Sequence, residues 1–378
     1  MKLLIEPADG VGPLLAAIKS AKTRVEIAIF RFDRSDVETA LKAAAKRGVK
    51  VTVLIAFANR GGEPRLRKLE LRCLEAGIIV ARTSNDLIRY HDKFILIDRR
   101  VLYVLSFNFT HLDIDHSRGF GIVTTRAHWV REAARLFRAD CTRSKYTLKT
   151  DTFVVSPANA RKVLEAFVKG AKTQLLIYDP KISDTVMLRV LQERAKAGVE
   201  IRVIGSVAGR NKFNVQKLVG TRLHTRTIIR DRRQAFVGSQ SLRAEELDKR
   251  RELGLILQDP KTVKALLDTF ESDWAGTHAG KASAAPPKSD GTIAPAAATA
   301  NEAAKAVEVF TKELDPISVS VKKAVRMAVS KAGEDVLHDK DVKETMKKVV
   351  KRAVKEAVKE AVQDATDAQA VKDAKAHP

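Results

Sequence analysis

The sequence has only two cysteines, Cys73 and Cys141, in 378 residues, and neither stands in a CxxC or Cys/His spacing. That pattern argues against a disulfide scaffold or a zinc finger and leaves two buried free thiols as the expectation. Aromatic residues make up 5% of the chain, too few to interleave with basic residues as a stacking platform for single strands does. No stretch approaches the roughly 20 consecutive apolar residues that span a bilayer. The opening MKLLIEPADG reaches Glu6 and Asp9 after a few apolar residues, unlike the basic and apolar regions of a secretory leader, so a reducing cytoplasm is the expected location.

Acidic side chains are the other shortage. The formal net charge is +23, and residues 1–280 carry 51 Lys and Arg against 31 Asp and Glu, whereas residues 301–378 are nearly balanced at 16 against 14. The positive field therefore belongs to the first three quarters of the chain. It favours anionic partners: phosphodiesters, nucleic acid or anionic lipid headgroups.

What is present is an internal repeat. SAKTRVEIAIF at 20–30 returns as GAKTQLLIYDP at 170–180, and AAAKRGVKVTVLI at 43–55 returns as ERAKAGVEIRVIG at 193–205, both offset by 150 positions. Each copy reads as helix, apolar strand, helix ending at Gly48 or Gly198, and a second strand. Such alternation predicts a mostly parallel sheet covered by helices. Later matches are offset by 133, so the second copy is 17 residues shorter before its histidine. There the first copy has LRKLELRCLEAGIIVART, expected to form an extra helix and strand, and the second has the loop-like AGRNKFNVQKLVGTR. The halves are placed at 1–150 and 151–275. Residues 276–300, rich in Ala, Pro, Gly, Ser and Thr, read as a flexible linker. Residues 301–378 read as an Ala/Lys/Glu/Val-rich amphipathic helical tail, suited to self-association or docking on a partner.

Two constellations carry chemistry. The first is His91-x-Lys93-x-x-x-x-Asp98 leading into an apolar strand, followed by Ser106 and Asn108 on the next strand. The second is His224-x-Arg226 with Asp231, followed by Ser239 and Ser241, and then Glu252 opening the last apolar strand. Alternation along a strand puts each His on one face with its Lys or Arg, and each Ser with the polar residue two positions on. A phosphodiester is anionic and repels nucleophiles, so cations must neutralise its oxygens before attack. Two imidazoles then suffice without a metal or other cofactor. One attacks phosphorus and becomes a phosphohistidine, and the other protonates the leaving alcohol and afterwards activates the acceptor.

At these residues the sequence resembles the phospholipase D superfamily over positions 1 to about 275. The resemblance implies two α/β/α sandwich halves related by a pseudo-twofold, an α/β fold with both histidines at the interface and the helical tail appended. It implies His91 as nucleophile, His224 as general acid and base, Lys93 and Arg226 as phosphate ligands, and Ser106, Asn108, Ser239 and Ser241 as their helpers. Asp98, Asp231 and Glu252 are expected to support the imidazoles and the hairpins. Three departures stand out: Arg226 in place of lysine, Leu105 where the family often has glycine, and Gly119 where it often has glutamate. The lead expectation is hydrolysis or transfer at a phospholipid phosphodiester, by a cytoplasmic protein associating peripherally with anionic membrane. The rivals are a nuclease acting on DNA or RNA, suggested by the charge of residues 1–280 and by the SFNFT segment, and a catalytically impaired module that binds phosphate or membrane.

Overall fold

A computed structural model describes residues 1–57, 63–209 and 213–283. In the first half the elements run β1 (Lys2–Glu6), α1 (Gly12–Ser20), β2 (Arg24–Ile29), α2 (Ser35–Lys46), β3 (Lys50–Ile55), α3 (Glu63–Glu75), β4 (Ile79–Arg82), β5 (Arg89–Tyr90), β6 (Phe94–Ile97), β7 (Val101–Leu105), α4 (His111–Asp115), β8 (Ser117–Thr124) and α5 (Ala127–Thr142). The second half repeats this order, with one helix fewer, as β9 (Phe153–Ser156), α6 (Ala160–Lys169), β10 (Gln174–Ile182), α7 (Thr185–Lys196), β11 (Glu200–Val207), β12 (Asn214–Gln216), β13 (Arg222–Leu223), β14 (Arg226–Arg230), β15 (Gln234–Gly238), α8 (Ala244–Asp248), β16 (Arg250–Leu257) and α9 (Pro260–Ser283). The missing helix is the counterpart of α3. The segment expected to be only a loop contains β12, which pairs parallel to β11 as β4 does to β3.

Each half is built on one sheet, in the order β1-β8-β7-β6-β2-β3-β4 and, in the second, β12-β11-β10-β14-β15-β16 with β9 on β16. The sheets are mixed rather than mostly parallel. Within each half β2-β3-β4 and β10-β11-β12 run parallel, while the hairpins β6-β7 and β14-β15 and the strands beside them pair antiparallel. Two-residue strands are exchanged between the halves: β5 joins β16, and β13 joins β8, both in parallel.

The apolar residues sort into three cores. Helices α1, α2 and α3 cover the outer face of the first sheet through residues such as Leu14, Leu41 and Leu69. Helices α6 and α7 cover the second through Leu164, Phe167 and Leu191. Between them lies a shared core, with Phe94 and Phe120 of one sheet, Tyr178 and Leu255 of the other, and Trp129, Phe137, Phe270 and Trp274 of α5 and α9. These are the expected α/β/α halves, and they share their inner layer. Because that layer belongs to both, neither half can cover its sheet alone.

The expected end of the fold near Trp274 moves outward. Helix α9 continues to Ser283, with Thr277 only 2% exposed and its hydroxyl donating to the carbonyl of Trp274. Gly276 and Gly280 do not stop it, since each glycine costs a helix only about 1 kcal/mol. The rest of the expected linker, and the expected tail at 301–378, lie outside the described residues.

Candidate active site

The exchanged strands bring the two constellations together. His91 lies between β5 and β6, and its backbone N–H donates to the carbonyl of Arg251 in the other half at 2.7 Å. His224 lies between β13 and β14, and its N–H donates to the carbonyl of Arg118 in the first half at 3.2 Å. Each histidine is therefore carried by one half and held by the other.

The side chains meet the same way. Nδ1 of His91 is 2.9 Å from both carboxylate oxygens of Glu252, across the halves. Since that carboxylate accepts the Nδ1 proton, the lone pair of a neutral His91 resides on Nε2. The phenyl of Phe30 meets the imidazole edge to face at 4.7 Å. Nζ of Lys93 donates to the carbonyl of His91, and the side chain is almost wholly buried. In the second half the Arg226 guanidinium donates to the carbonyl of His224 and, through Nε at 3.2 Å, to Oγ of Ser241. His224 differs from His91 in its support. Its Nε2 lies 3.5 Å from Asp113, while its buried Nδ1 has no hydrogen-bond partner among the described residues. Gly119 stands where a second glutamate would be, and a Cβ there would lie 2.8 Å from the ring of Phe107.

Burial, reinforced by the charges of both Lys93 and Arg226, holds His91 and His224 well below the usual imidazole range. Each imidazole thus feels the cation of its own half and of the other. Burial lowers the Lys93 ammonium to about 7, against the pull of Glu252. Burial raises the Glu252 carboxyl to about 7, with Lys93 and the hydroxyl of Ser239 working against it. The result is a largely buried cluster of two neutral imidazoles with Lys93 and Arg226 beside them. A phosphodiester monoanion entering it would stabilise protonated Lys93 and one imidazolium.

The other expected residues divide. Asn108 and Ser241 edge the site. The backbone N–H and Nδ2 of Asn108 both donate to Asp113, its buried Oδ1 has no partner among the described residues, and the N–H of Ser241 donates to Glu246 at 2.7 Å. Ser106 and Ser239 are fully buried one step further in. The hydroxyl of Ser106 accepts from the N–H of Phe120 at 2.8 Å, and that of Ser239 accepts from Leu253 at 3.2 Å and also bonds Glu252. The structure thus places both serines between strands, where they brace the site, rather than as phosphate ligands. Asp98 and Asp231 sit apart from the imidazoles, at the tips of the β6-β7 and β14-β15 hairpins. Six residues, the four of β6 among them, separate Asp98 from His91, and seven steps of extended chain span roughly 20 Å. Asp98 accepts the N–H groups of Lys22, Thr23 and Arg24, and Asp231 those of Lys172, Thr173 and Gln174. Their grouping with the catalytic side chains is corrected accordingly: they pin hairpins. Both lie at positive φ, 52° and 50°, a region that aspartate tolerates in tight turns.

Two carboxylates were missed as site residues. Asp113 and Glu246 lie under Asn108 and Ser241 and are separated by the same 133 positions as the histidines, which was the signal that could have found them. Asp113 also pairs with Arg222.

Fold and site together define a phospholipase D-like protein. The profile of the family described as cardiolipin synthase, PLD-like domain matches twice, over residues 14–141 and 142–274, and the chain belongs to the phospholipase D superfamily. It is 30% identical to mouse mitochondrial cardiolipin hydrolase over 121 residues, 31% of this chain and 52% of the mouse protein. The zebrafish protein of the same name is 31% identical over 125 residues, covering 51% of its length. The chain thus spans about half the length of the curated relatives it matches. Among solved structures it is similar in fold to a polyphosphate kinase from Porphyromonas gingivalis, with a TM-score of 0.61 and 21% identity over 71% of this chain and 49% of that one. It is also similar to phosphatidylserine synthase from Haemophilus influenzae, with a TM-score of 0.55 and 11% identity over 73% and 86%.

Proposed function

We propose that this member of the superfamily cleaves or transfers a phospholipid phosphodiester through a phosphohistidine on His91. The observation that supports the mechanism is the His91–Glu252 pair, which fixes the tautomer and leaves an Nε2 lone pair on an imidazole that feels the charges of Lys93 and Arg226. Attack of Nε2 on phosphorus forms a P–N bond and breaks the P–O bond to the leaving alcohol, which takes a proton from His224. That proton is present once the substrate's negative charge and Asp113 favour the imidazolium. His224 then removes a proton from water or an acceptor alcohol, which displaces His91 and releases the product. Lys93 and Arg226, beside Asn108 and Ser241, neutralise the non-bridging oxygens, so the step needs no metal. The phospholipid assignment is supported by the relatives named cardiolipin hydrolase and by the profile described as cardiolipin synthase. Cytoplasmic location with peripheral binding to anionic membrane belongs to the same proposal.

The test is turnover in excess EDTA of vesicles of phosphatidylglycerol or phosphatidylcholine beside single-stranded DNA and RNA, with a His91→Ala control. Release of phosphatidic acid by the wild type alone is expected. Cleavage of the polynucleotides instead would move the protein to the nuclease reading, which the positive charge of residues 1–280 favours. Binding without turnover of any substrate would leave an impaired binding module.

A further inference from the structure

Behind each histidine lies an arginine–aspartate pair that joins the two halves. Arg118 of β8 donates through Nε and a terminal nitrogen to the two oxygens of Asp273 on α9, at 2.8 and 2.9 Å, and through its other nitrogen to the carbonyl of Glu6. Asp273 also accepts from the Tyr178 hydroxyl at 2.7 Å. In the other half Arg251 of β16 donates to Asp140 on α5 at 3.0 Å and to the carbonyl of Ser156 at 3.2 Å. Arg118 and Arg251 are separated by 133 positions, as are Asp140 and Asp273 and the two histidines. The pair is thus part of the repeat, although neither residue lies in the His-x-Lys pattern.

These four residues do more than join helices to strands. The carbonyl of Arg118 takes the N–H groups of His224 and Thr225, and the carbonyl of Arg251 takes that of His91. Arg251 also precedes Glu252, the partner of the His91 ring. Each arginine side chain is at most 15% exposed and each aspartate at most 10%. In such surroundings a guanidinium–carboxylate pair holds its geometry and is costly to break.

We infer that Arg118–Asp273 and Arg251–Asp140 are positioning pairs, the first setting His224 and the second setting His91, each from the opposite half. The inference rests on the phosphodiesterase reading above and adds residues that act through the imidazoles rather than on the substrate.

The two pairs should fail differently. A misplaced general acid slows formation of the phosphohistidine only when the leaving group needs a proton, whereas a misplaced nucleophile slows that step for every substrate. The test uses diphenyl phosphate, whose phenol leaving group has a pKa of about 10, and bis(4-nitrophenyl) phosphate, whose leaving group departs as a stable anion. Arg118→Met and Arg251→Met are measured beside the isosteric Asp273→Asn and Asp140→Asn, which keep volume in case the methionine variants do not fold. Arg118→Met and Asp273→Asn are expected to lose roughly tenfold or more in the rapid-quench rate of first phenol release from diphenyl phosphate and less than about threefold in that of first nitrophenolate release from the nitrophenyl ester, with KM little changed. Arg251→Met and Asp140→Asn are expected to lose roughly tenfold on both. Equal losses on both substrates for the Arg118–Asp273 variants, or a lowered melting temperature with unchanged kcat for all four, would overturn the inference and leave the pairs as structural ties. A wild-type protein that hydrolyses neither ester removes the phosphodiesterase reading, and the positioning inference with it.

Discussion

Glu252, on the last strand of the second half, holds Nδ1 of His91 in the first half at 2.9 Å, whereas Nδ1 of His224 is buried without a hydrogen-bond partner among the described residues. The two imidazoles are therefore not equivalent, which supports the proposal of His91 as the nucleophile. Glu252→Gln is expected to lower the rate of covalent adduct formation by roughly 10²-fold, since the amide no longer selects the Nδ1–H tautomer or stabilises the charge that develops on attack. Rapid-quench measurement of the acid-labile phosphohistidine checks this. In His224→Ala the adduct from an activated ester should form and persist, while His91→Ala should form none. Adduct in His91→Ala would reverse the assignment.

Lys93 should make anion binding depend on pH. Burial brings its ammonium down to about 7, so the empty site loses this positive charge as pH rises through neutrality. Glu252, raised by burial to about 7, gains a negative charge over the same range. Both changes weaken anion binding in the same direction. Sulfate is a suitable probe because it does not itself titrate there. Its affinity by calorimetry is expected to fall by roughly tenfold from pH 6 to pH 8, and bound sulfate should shift the midpoint upward by linkage. Lys93→Arg should flatten the dependence, since guanidinium stays charged. A wild-type affinity constant across this range would contradict it.

The repeat made much of this readable in advance. Offsets of 150 and 133 gave the two halves, the histidines and their cationic partners, because each of these features is local to a strand or hairpin. What the sequence did not disclose depends on contacts between distant segments. Strands β5 and β13 have two residues each and no periodicity to detect, yet they deliver the histidines to the opposite halves. Asp113 and Glu246 lie in short helices whose single turn looks like a loop. The expected parallel sheet failed because the hairpins β6-β7 and β14-β15 insert antiparallel strands at its centre. The role of Asp98 and Asp231 could not be read from spacing alone, since the segments they bind, at 22–24 and 172–174, lie on another strand's approach.

Asp98 and Asp231 should matter to stability and not to chemistry. Burial acts to raise the Asp98 carboxyl, but the N–H groups of Lys22, Thr23 and Arg24 outweigh it and hold the carboxyl at about 2. A carboxylate depressed in the folded state stabilises the fold above its unfolded pKa, and that contribution is lost as pH falls through the folded value. Asp98→Ala is expected to cost about 1–3 kcal/mol at pH 7, with the difference from wild type shrinking between about pH 4 and pH 2. Denaturant titrations across that range check the sign. The kcat of the folded variant should match wild type, and a loss of more than about tenfold in the folded protein would return Asp98 to the active site.

Gly119 explains why His224 lacks the support that His91 has. A Cβ at this position would lie 2.8 Å from the Phe107 ring and 3.3 Å from its Cβ, and Phe107 is fully buried. The phenyl therefore occupies the room that a second glutamate would need, and Gly119→Ala alone is expected to destabilise the protein by about 1–3 kcal/mol through overpacking. Gly119→Glu should do the same. Combining Gly119→Glu with Phe107→Ala removes the obstruction and puts a carboxylate at the repeat equivalent of Glu252, beside the open Nδ1 of His224. An anion there favours the imidazolium, so the alkaline limb of the kcat profile, where the general acid loses its proton, should move to higher pH in the double variant. The shift should vanish in Gly119→Gln with Phe107→Ala, which fills the same space without charge. An unchanged alkaline limb in the double variant would mean that His224 does not supply the proton.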